Sequence, residues 1–191
     1  MSRVLVLLAH PALHRSRANA ALADAVRSLP GVTFHDLYAA YPHHHVDVAR
    51  EQGLLRSHDV VVWQHPFYWY SAPSLLKEWQ DVVLEHGFAY GDGGTALRGK
   101  RVLSALSTGG PAAAYQPGGY NRHTIGHLLA PFDQTAHLCG MTYLEPFVVH
   151  GVLQLSEAGL REVAGRYRDR IEALRDEAAG RNEGMAAGGM A

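Results

Sequence analysis

The sequence predicts an α/β domain in three layers, a parallel sheet of five strands with helices packed on both faces. Three observations predict it. Short apolar runs with no polar face alternate with segments whose apolar residues recur at helical spacing, as buried parallel strands and their crossover helices require. Proline and glycine mark the changes of period, as at Pro30-Gly31 and from Gly91 to Gly99. Three of the buried runs end in polar or aromatic segments, at the place where open parallel sheets gather their ligands.

Val4 to Ala9 is a continuous apolar run closed by His10-Pro11 and reads as a strand buried on both faces. Pro11 to Arg15 form a loop. Ser16 offers an N-cap oxygen to a helix over Asn19 to Leu29, where Leu22, Ala23, Val26 and Leu29 share a face, and Pro30-Gly31 stops it. Val32 to Leu37 alternates as a short strand, and Asp47 to Ser57 is helical. Asp59 to Gln64, with Val60, Val61, Val62 and Trp63, is another buried strand, closed by Pro66. Pro73 opens a helix that carries Leu75, Leu76, Trp79 and Val83. After the glycine-rich connection come a fourth strand, Arg101 to Ser107, the end of a helix, Ala130 to Cys139, and a fifth strand, Met141 to His150. Ser156 to Arg175 is the last amphipathic helix, through Leu160, Val163, Tyr167, Ile171 and Leu174. Residues 1 to 180 thus make one domain. Arg181 to Ala191, rich in Gly, Ala and Met without a period, is expected to be a disordered tail.

A chain of 191 residues with 47% hydrophobic content fills one sizeable core. Its net charge of -1 gives no electrostatic case for broad attraction to nucleic acid or to an anionic membrane, so binding must come from a local site. A single cysteine, Cys139, excludes an intrachain disulfide and a cysteine metal cluster, and suits a reducing compartment. The first apolar run is too short for a signal peptide core or a membrane span, so a cytoplasmic protein is expected.

Three segments could carry chemistry. Ser16-Arg17-Ala18-Asn19 opens a helix directly after a strand, so free backbone N-H groups and the positive end of the helix dipole converge where an anion would fit. His10 at the strand end could add a donor or a charge. Standing alone, Ser16 is equally an ordinary N-cap. The segment has neither the glycine fingerprint of a dinucleotide fold nor that of a nucleotide triphosphatase, which leaves a flavin phosphate as the favoured anion. His65-Pro66-Phe67-Tyr68-Trp69-Tyr70-Ser71 packs four aromatics into a loop, where a flat ring system or a subunit interface would cover them. Ser107-Thr108-Gly109-Gly110 follows the fourth strand, and paired glycines let the backbone approach a planar ligand and donate to its polar edge. Tyr115 lies five residues further on and could donate to the same edge. His43-His44-His45 with Asp47 reads as a solvated loop rather than a metal site, because consecutive histidines point in different directions. No G-x-S-x-G elbow supports a hydrolase.

Together these segments resemble the flavodoxin-like NAD(P)H:quinone reductase family, most nearly the bacterial ancillary proteins of glutathione-regulated potassium efflux. The resemblance covers Val4 to Arg175. It is carried by Ala9-His10-Pro11 with Ser16-x-Ala18-Asn19, Asp36-Leu37-Tyr38, Tyr41-Pro42, Asp47, Glu51-Gln52 and Trp63-Gln64-His65-Pro66 with Trp69-Tyr70. It continues through Pro73-x-Leu75-Leu76-Lys77-x-Trp79, His86-Gly87-x-Ala89-Tyr90-Gly91, Gly93 to Leu97 with Gly99-Lys100, and Thr108-Gly109-Gly110.

The resemblance implies a flavodoxin-like sheet, a homodimer and a non-covalent flavin, FMN in preference to FAD. His10, Ser16, Arg17, Ala18 and Asn19 would hold the phosphate end, Pro66, Phe67, Tyr68, Trp69 and Tyr70 the ring, and Ser107, Thr108, Gly109 and Gly110 the pyrimidine edge. Gly109, Gly110 and Tyr115 would stabilise the reduced flavin near N1 and O2. Where the mammalian-type reductases place a histidine six residues beyond that tyrosine, this chain has Asn121, with His123 two residues later. The implied reaction is two-electron, ping-pong hydride transfer from NAD(P)H through flavin N5 to a quinone or similar acceptor. A second implication is a regulatory role on a potassium efflux transporter at the inner membrane, with the flavin as a structural or sensing ligand. A one-electron carrier is disfavoured, since the chain is not strongly acidic.

Overall fold

The computed structural model describes the backbone of residues 3–187 and the side chains of residues 3–177. The elements follow in the order β1 (Val4–Leu8), a 3-10 turn (Leu13–Arg15), α1 (Arg17–Val26), β2 (Val32–Asp36), α2 (Leu37–Ala40), α3 (Val48–Arg56), β3 (Val60–Pro66) and α4 (Ser74–Val83). There follow β4 (Arg101–Ser107), a second 3-10 turn (Ala112–Ala114), α5 (Ile125–Leu128), α6 (Ala130–Leu138), β5 (Thr142–Tyr143), β6 (Phe147–Val149) and α7 (Glu157–Ala187).

The strands pair in parallel in the order β2-β1-β3-β4-β5, with β6 also on β4. The chain leaves β1 towards β2 on one side and returns to β3 on the other, so a crevice opens between β1 and β3 at their carboxyl ends. Alternate residues of each strand feed opposite layers. Leu5, Leu7, Val61, Trp63 and Val102 pack with Leu76 and Trp79 of α4 and Phe132 of α6. Val4, Val6, Val60, Val62, Leu103 and Ala105 pack with Leu22 and Val26 of α1 and with Val163, Tyr167 and Ile171 of α7. Each such fully buried aliphatic contributes about 1.5–3 kcal/mol by leaving water.

The expected fifth strand is realised as two short pieces on β4. Leu144 still donates to the Val102 carbonyl at 2.8 Å, but Pro146 has no N-H to continue the ladder. The last helix, expected to end near Arg175, continues as backbone to Ala187, through residues whose alanines favour a helix and which no proline interrupts. The expected tail from Arg181 is therefore described only as helical backbone to Ala187, and its remaining positions, 188–191, lie outside the described residues. No helix among the described residues is long and apolar enough to cross a membrane.

A buried carboxylate joins the layers on one side. Glu51 of α3, wholly buried, accepts from Tyr41 at 2.5 Å and from Trp79 Nε1 at 2.8 Å, and its Oε1 lies 2.8 Å from His35 Nε2. Burial alone would raise its pKa, yet hydrogen bonds from His35, Tyr41 and Trp79 hold it below the ordinary glutamate value.

Candidate functional site

Two adjoining cavities lie at the carboxyl ends of β1, β3 and β4. One, about 680 Å³, is bounded by His10, Ser16 to Ala18, Pro66 to Tyr68, Ser107 and Gly109, with Arg15, Val152 and Leu153 on its rim. Its neighbour, about 610 Å³, is bounded by Phe67, Trp69, Tyr70, Gly110, Tyr115, Tyr120 and Asn121. Phe67 borders both.

At the first wall the N-cap Ser16 accepts from the Asn19 N-H at 3.2 Å and thereby starts α1 at Arg17. The N-H groups of Arg17 and Ala18 find no acceptor among the described residues, as the first turn of a helix requires. His10 Nδ1 accepts from the Ala12 N-H at 3.1 Å, which puts the imidazole hydrogen on Nε2. Burial lowers the His10 pKa, so the ring is a neutral donor at neutral pH. The guanidinium of Arg17, by contrast, is engaged by Glu157 at 2.6 Å and by the Leu155 carbonyl at 3.1 Å. Those bonds turn the Arg17 guanidinium towards the start of α7. Arg15, at the end of the first 3-10 turn, is an exposed cation bordering the cavity.

Asn19 is buried and serves the wall from behind. Its Nδ2 donates to Ser107 Oγ at 2.9 Å, while its backbone carbonyl accepts from Gln64 Nε2 at 3.1 Å. Gln64 Oε1 accepts in turn from Tyr167 of α7 at 3.1 Å. This chain of bonds ties α7, β3, the start of α1 and the end of β4 together beneath the cavity.

The aromatic loop is anchored by the Phe67 N-H on the Ser107 carbonyl at 2.8 Å and closed by the Ser71 N-H on the Tyr68 carbonyl at 3.0 Å. Within it, Trp69 and Tyr70 hold φ of 49° and 62° in succession. Side chains other than glycine resist that left-handed region, at a cost of about 1–2 kcal/mol each. Trp69 is 93% exposed. The N-H groups of Trp69, Tyr70, Gly109 and Gly110 donate to no acceptor among the described residues. A Cβ placed on Gly109 would meet no atom within 4 Å, whereas one on Gly110 would press on the Tyr115 ring at 3.3 Å. Open space above Gly109 beside unpaired donors is what a flat polar-edged ligand needs.

Tyr115 is buried against Phe67, with ring centroids 6.2 Å apart. Asn121 accepts from the Tyr70 hydroxyl at 3.2 Å and so pins the aromatic loop. His123 is exposed, bounds neither cavity, and donates its N-H to the Asn121 carbonyl. His43 to His45 lie exposed between α2 and α3, and the Asp47 carboxylate caps α3 through the Arg50 N-H. Sequence reasoning passed over His150. It follows β6 and meets Tyr115 and Thr108, and the rule that ligands gather at strand ends was the signal for it.

The family model described as "Flavodoxin-like fold" matches residues 2–171. The glutathione-regulated potassium-efflux system ancillary protein KefG of Serratia proteamaculans is 48% identical over 167 residues, 87% of this chain and 91% of its own. The general stress protein 14 of Treponema denticola, solved in complex with FMN, superposes with a TM-score of 0.83 at 41% identity, over 92% of this chain and 98% of that one. An NADPH-quinone reductase of P. pentosaceus gives a TM-score of 0.81 at 34% identity, over 88% and 96%. A chain described as a thermophilic tryptophan halogenase of Streptomycin violaceusniger gives 0.86 at 47%, over 87% and 97%.

Proposed function

The chain belongs to the flavodoxin-like family, and from that premise we propose that it is an FMN-dependent NAD(P)H:quinone oxidoreductase. The descriptions of its relatives span reductases, a stress protein and a halogenase, so fold and identity leave the reaction to be chosen by the site.

The observation that carries the reading is the row of unpaired backbone donors, Trp69, Tyr70, Gly109 and Gly110, beside exposed aromatics and the open space over Gly109. These residues fit a flavin. The Arg17 and Ala18 N-H groups with Ser16 and His10 would take its phosphate, Pro66 to Tyr70 its ring, and Ser107 to Gly110 with Tyr115 its pyrimidine edge. The FMN held by a relative 41% identical supports FMN over FAD.

When bound, the flavin supplies the redox chemistry, taking two electrons from NAD(P)H and passing them to a quinone. The protein's part is to align and to stabilise. The Gly109 and Gly110 N-H groups, fixed before any ligand arrives, favour negative charge at the edge they face without reorganising. Trp69, Tyr70 and Tyr120 wall an opening that nicotinamide and acceptor would use in turn, which gives ping-pong kinetics and parallel double-reciprocal lines. Trp69 and Tyr120, 93% and 90% exposed, are the surface that a homodimer would cover. His123 falls outside the proposed machinery.

The test is an absorbance spectrum of the protein reconstituted with FMN, followed by anaerobic NADPH or NADH and then menadione. Bleaching by the nicotinamide and recovery with the quinone are expected; a protein that retains no flavin sinks the reading.

The 48% identity to KefG favours a second role, as a cytoplasmic ancillary subunit docked on a potassium efflux transporter. The two roles can coexist. Retention on an immobilised transporter domain, compared with quinone turnover by the same preparation, separates them.

A further inference from the structure

His150 follows β6 and sits half-buried between the glycine turn after β4 and the ring of Tyr115. Its ring centroid is 5.6 Å from that of Tyr115, and its Nδ1 is 3.2 Å from Thr108 Oγ1. The Thr108 hydroxyl has one hydrogen, which it donates to the Gly110 carbonyl at 2.8 Å. Its oxygen is then left as an acceptor, so Nδ1 must carry the imidazole hydrogen and donate it to Thr108.

The same stretch grips the turn through its backbone. The Thr108 N-H donates to the Val149 carbonyl at 2.8 Å, the Gly151 N-H to the Gly110 carbonyl at 2.9 Å, and the Val152 N-H to the Thr108 carbonyl at 3.1 Å. The Gly109 and Gly110 N-H groups stay free because the turn's other polar groups are held from this side. Asn121, at the position where the resemblance looks for a histidine, is committed to Tyr70.

We propose that His150 is the positioning residue of the cofactor's polar edge: through its Nδ1-H it orders Thr108, through Thr108 the Gly109-Gly110 donors, and by ring contact Tyr115. The assignment rests on the flavin reading above. Asn121 and His123 have no part in it. Burial also lowers the His150 pKa, which keeps the ring neutral at neutral pH, with Nε2 as an acceptor.

Dissociation constants for oxidised and for reduced FMN, measured on the wild type and on His150→Leu, His150→Asn and Thr108→Val, test it. Asparagine carries an N-H close to the Nδ1 position, so His150→Asn is the conservative rescue. His150→Leu and Thr108→Val should each weaken reduced FMN about tenfold more than oxidised FMN, a fall of about 30 mV in two-electron potential. The double variant should do no worse than either, and His150→Asn should keep the wild-type ratio. Thr108→Val is nearly isosteric, so it reads the clamp even where His150→Leu folds poorly. An unchanged ratio in Thr108→Val, or a loss in His150→Asn equal to that in His150→Leu, overturns the assignment and leaves the flavin reading standing. A wild-type protein that retains no FMN overturns both.

Discussion

Around Glu51 the fold closes on its polar groups, whereas at the carboxyl ends of β1, β3 and β4 it leaves them open. The Glu51 carboxylate loses all contact with water and receives His35, Tyr41 and Trp79 in return. At the other site four backbone N-H groups lack acceptors among the described residues, two consecutive aromatics hold left-handed backbone, and Trp69 stands in solvent. The first arrangement is complete in the protein as it stands and serves the fold. The second keeps strained backbone in place and leaves donors and aromatic surface open, as the proposed flavin site requires.

The largest expected effect comes from breaking the closed region. Glu51→Ala strands three hydrogen-bonding partners and should cost about 3–5 kcal/mol in urea unfolding. FMN affinity of the folded fraction should stay within about twofold by general additivity of distant sites. A parallel loss of FMN would show that the two regions are coupled.

His65 precedes the aromatic loop and stacks on Phe132 of α6 with ring centroids 5.7 Å apart. Its burial is complete and pushes its pKa from 6.5 down to about 4. Below pH 6.5 the unfolded chain binds a proton that the folded one refuses. Stability is thus whole above 6.5 and falls as pH drops towards 4, by roughly 3 kcal/mol at 1.36 kcal/mol per unit. Denaturant unfolding at a series of pH values should show this slope, and His65→Phe should flatten it.

The smallest effect on stability, and the sharpest contrast, belongs to Gly109→Ala. Its added methyl meets no atom within 4 Å, so unfolding should move by less than about 0.5 kcal/mol. FMN affinity should fall at least about tenfold, near 1.4 kcal/mol. Unchanged affinity would place the flavin elsewhere.

The layers were legible because strands buried on both faces write continuous apolar runs, as Val4 to Ala9 and Val60 to Trp63 do. Ser16 as a cap was legible too, since capping is local. What escaped depends on partners distant in the chain. The Arg17 guanidinium is drawn away by Glu157, 140 positions on, and His150 acquires its role from Thr108, 42 positions back. Glu51-Gln52 stood in the sequence as part of a resemblance, but nothing local announces a fully buried acid. The division of the fifth strand was the exception, for Pro146 was there to be read.

That division has a consequence for solubility. Beyond β4 the sheet ends in one strand of two residues and another of three. A foreign chain seeking to extend the sheet would find too short a ladder there to add itself, and a proline interrupting it. Growth of fibrils by edge-to-edge addition is therefore discouraged on that side, independently of anything the molecule binds.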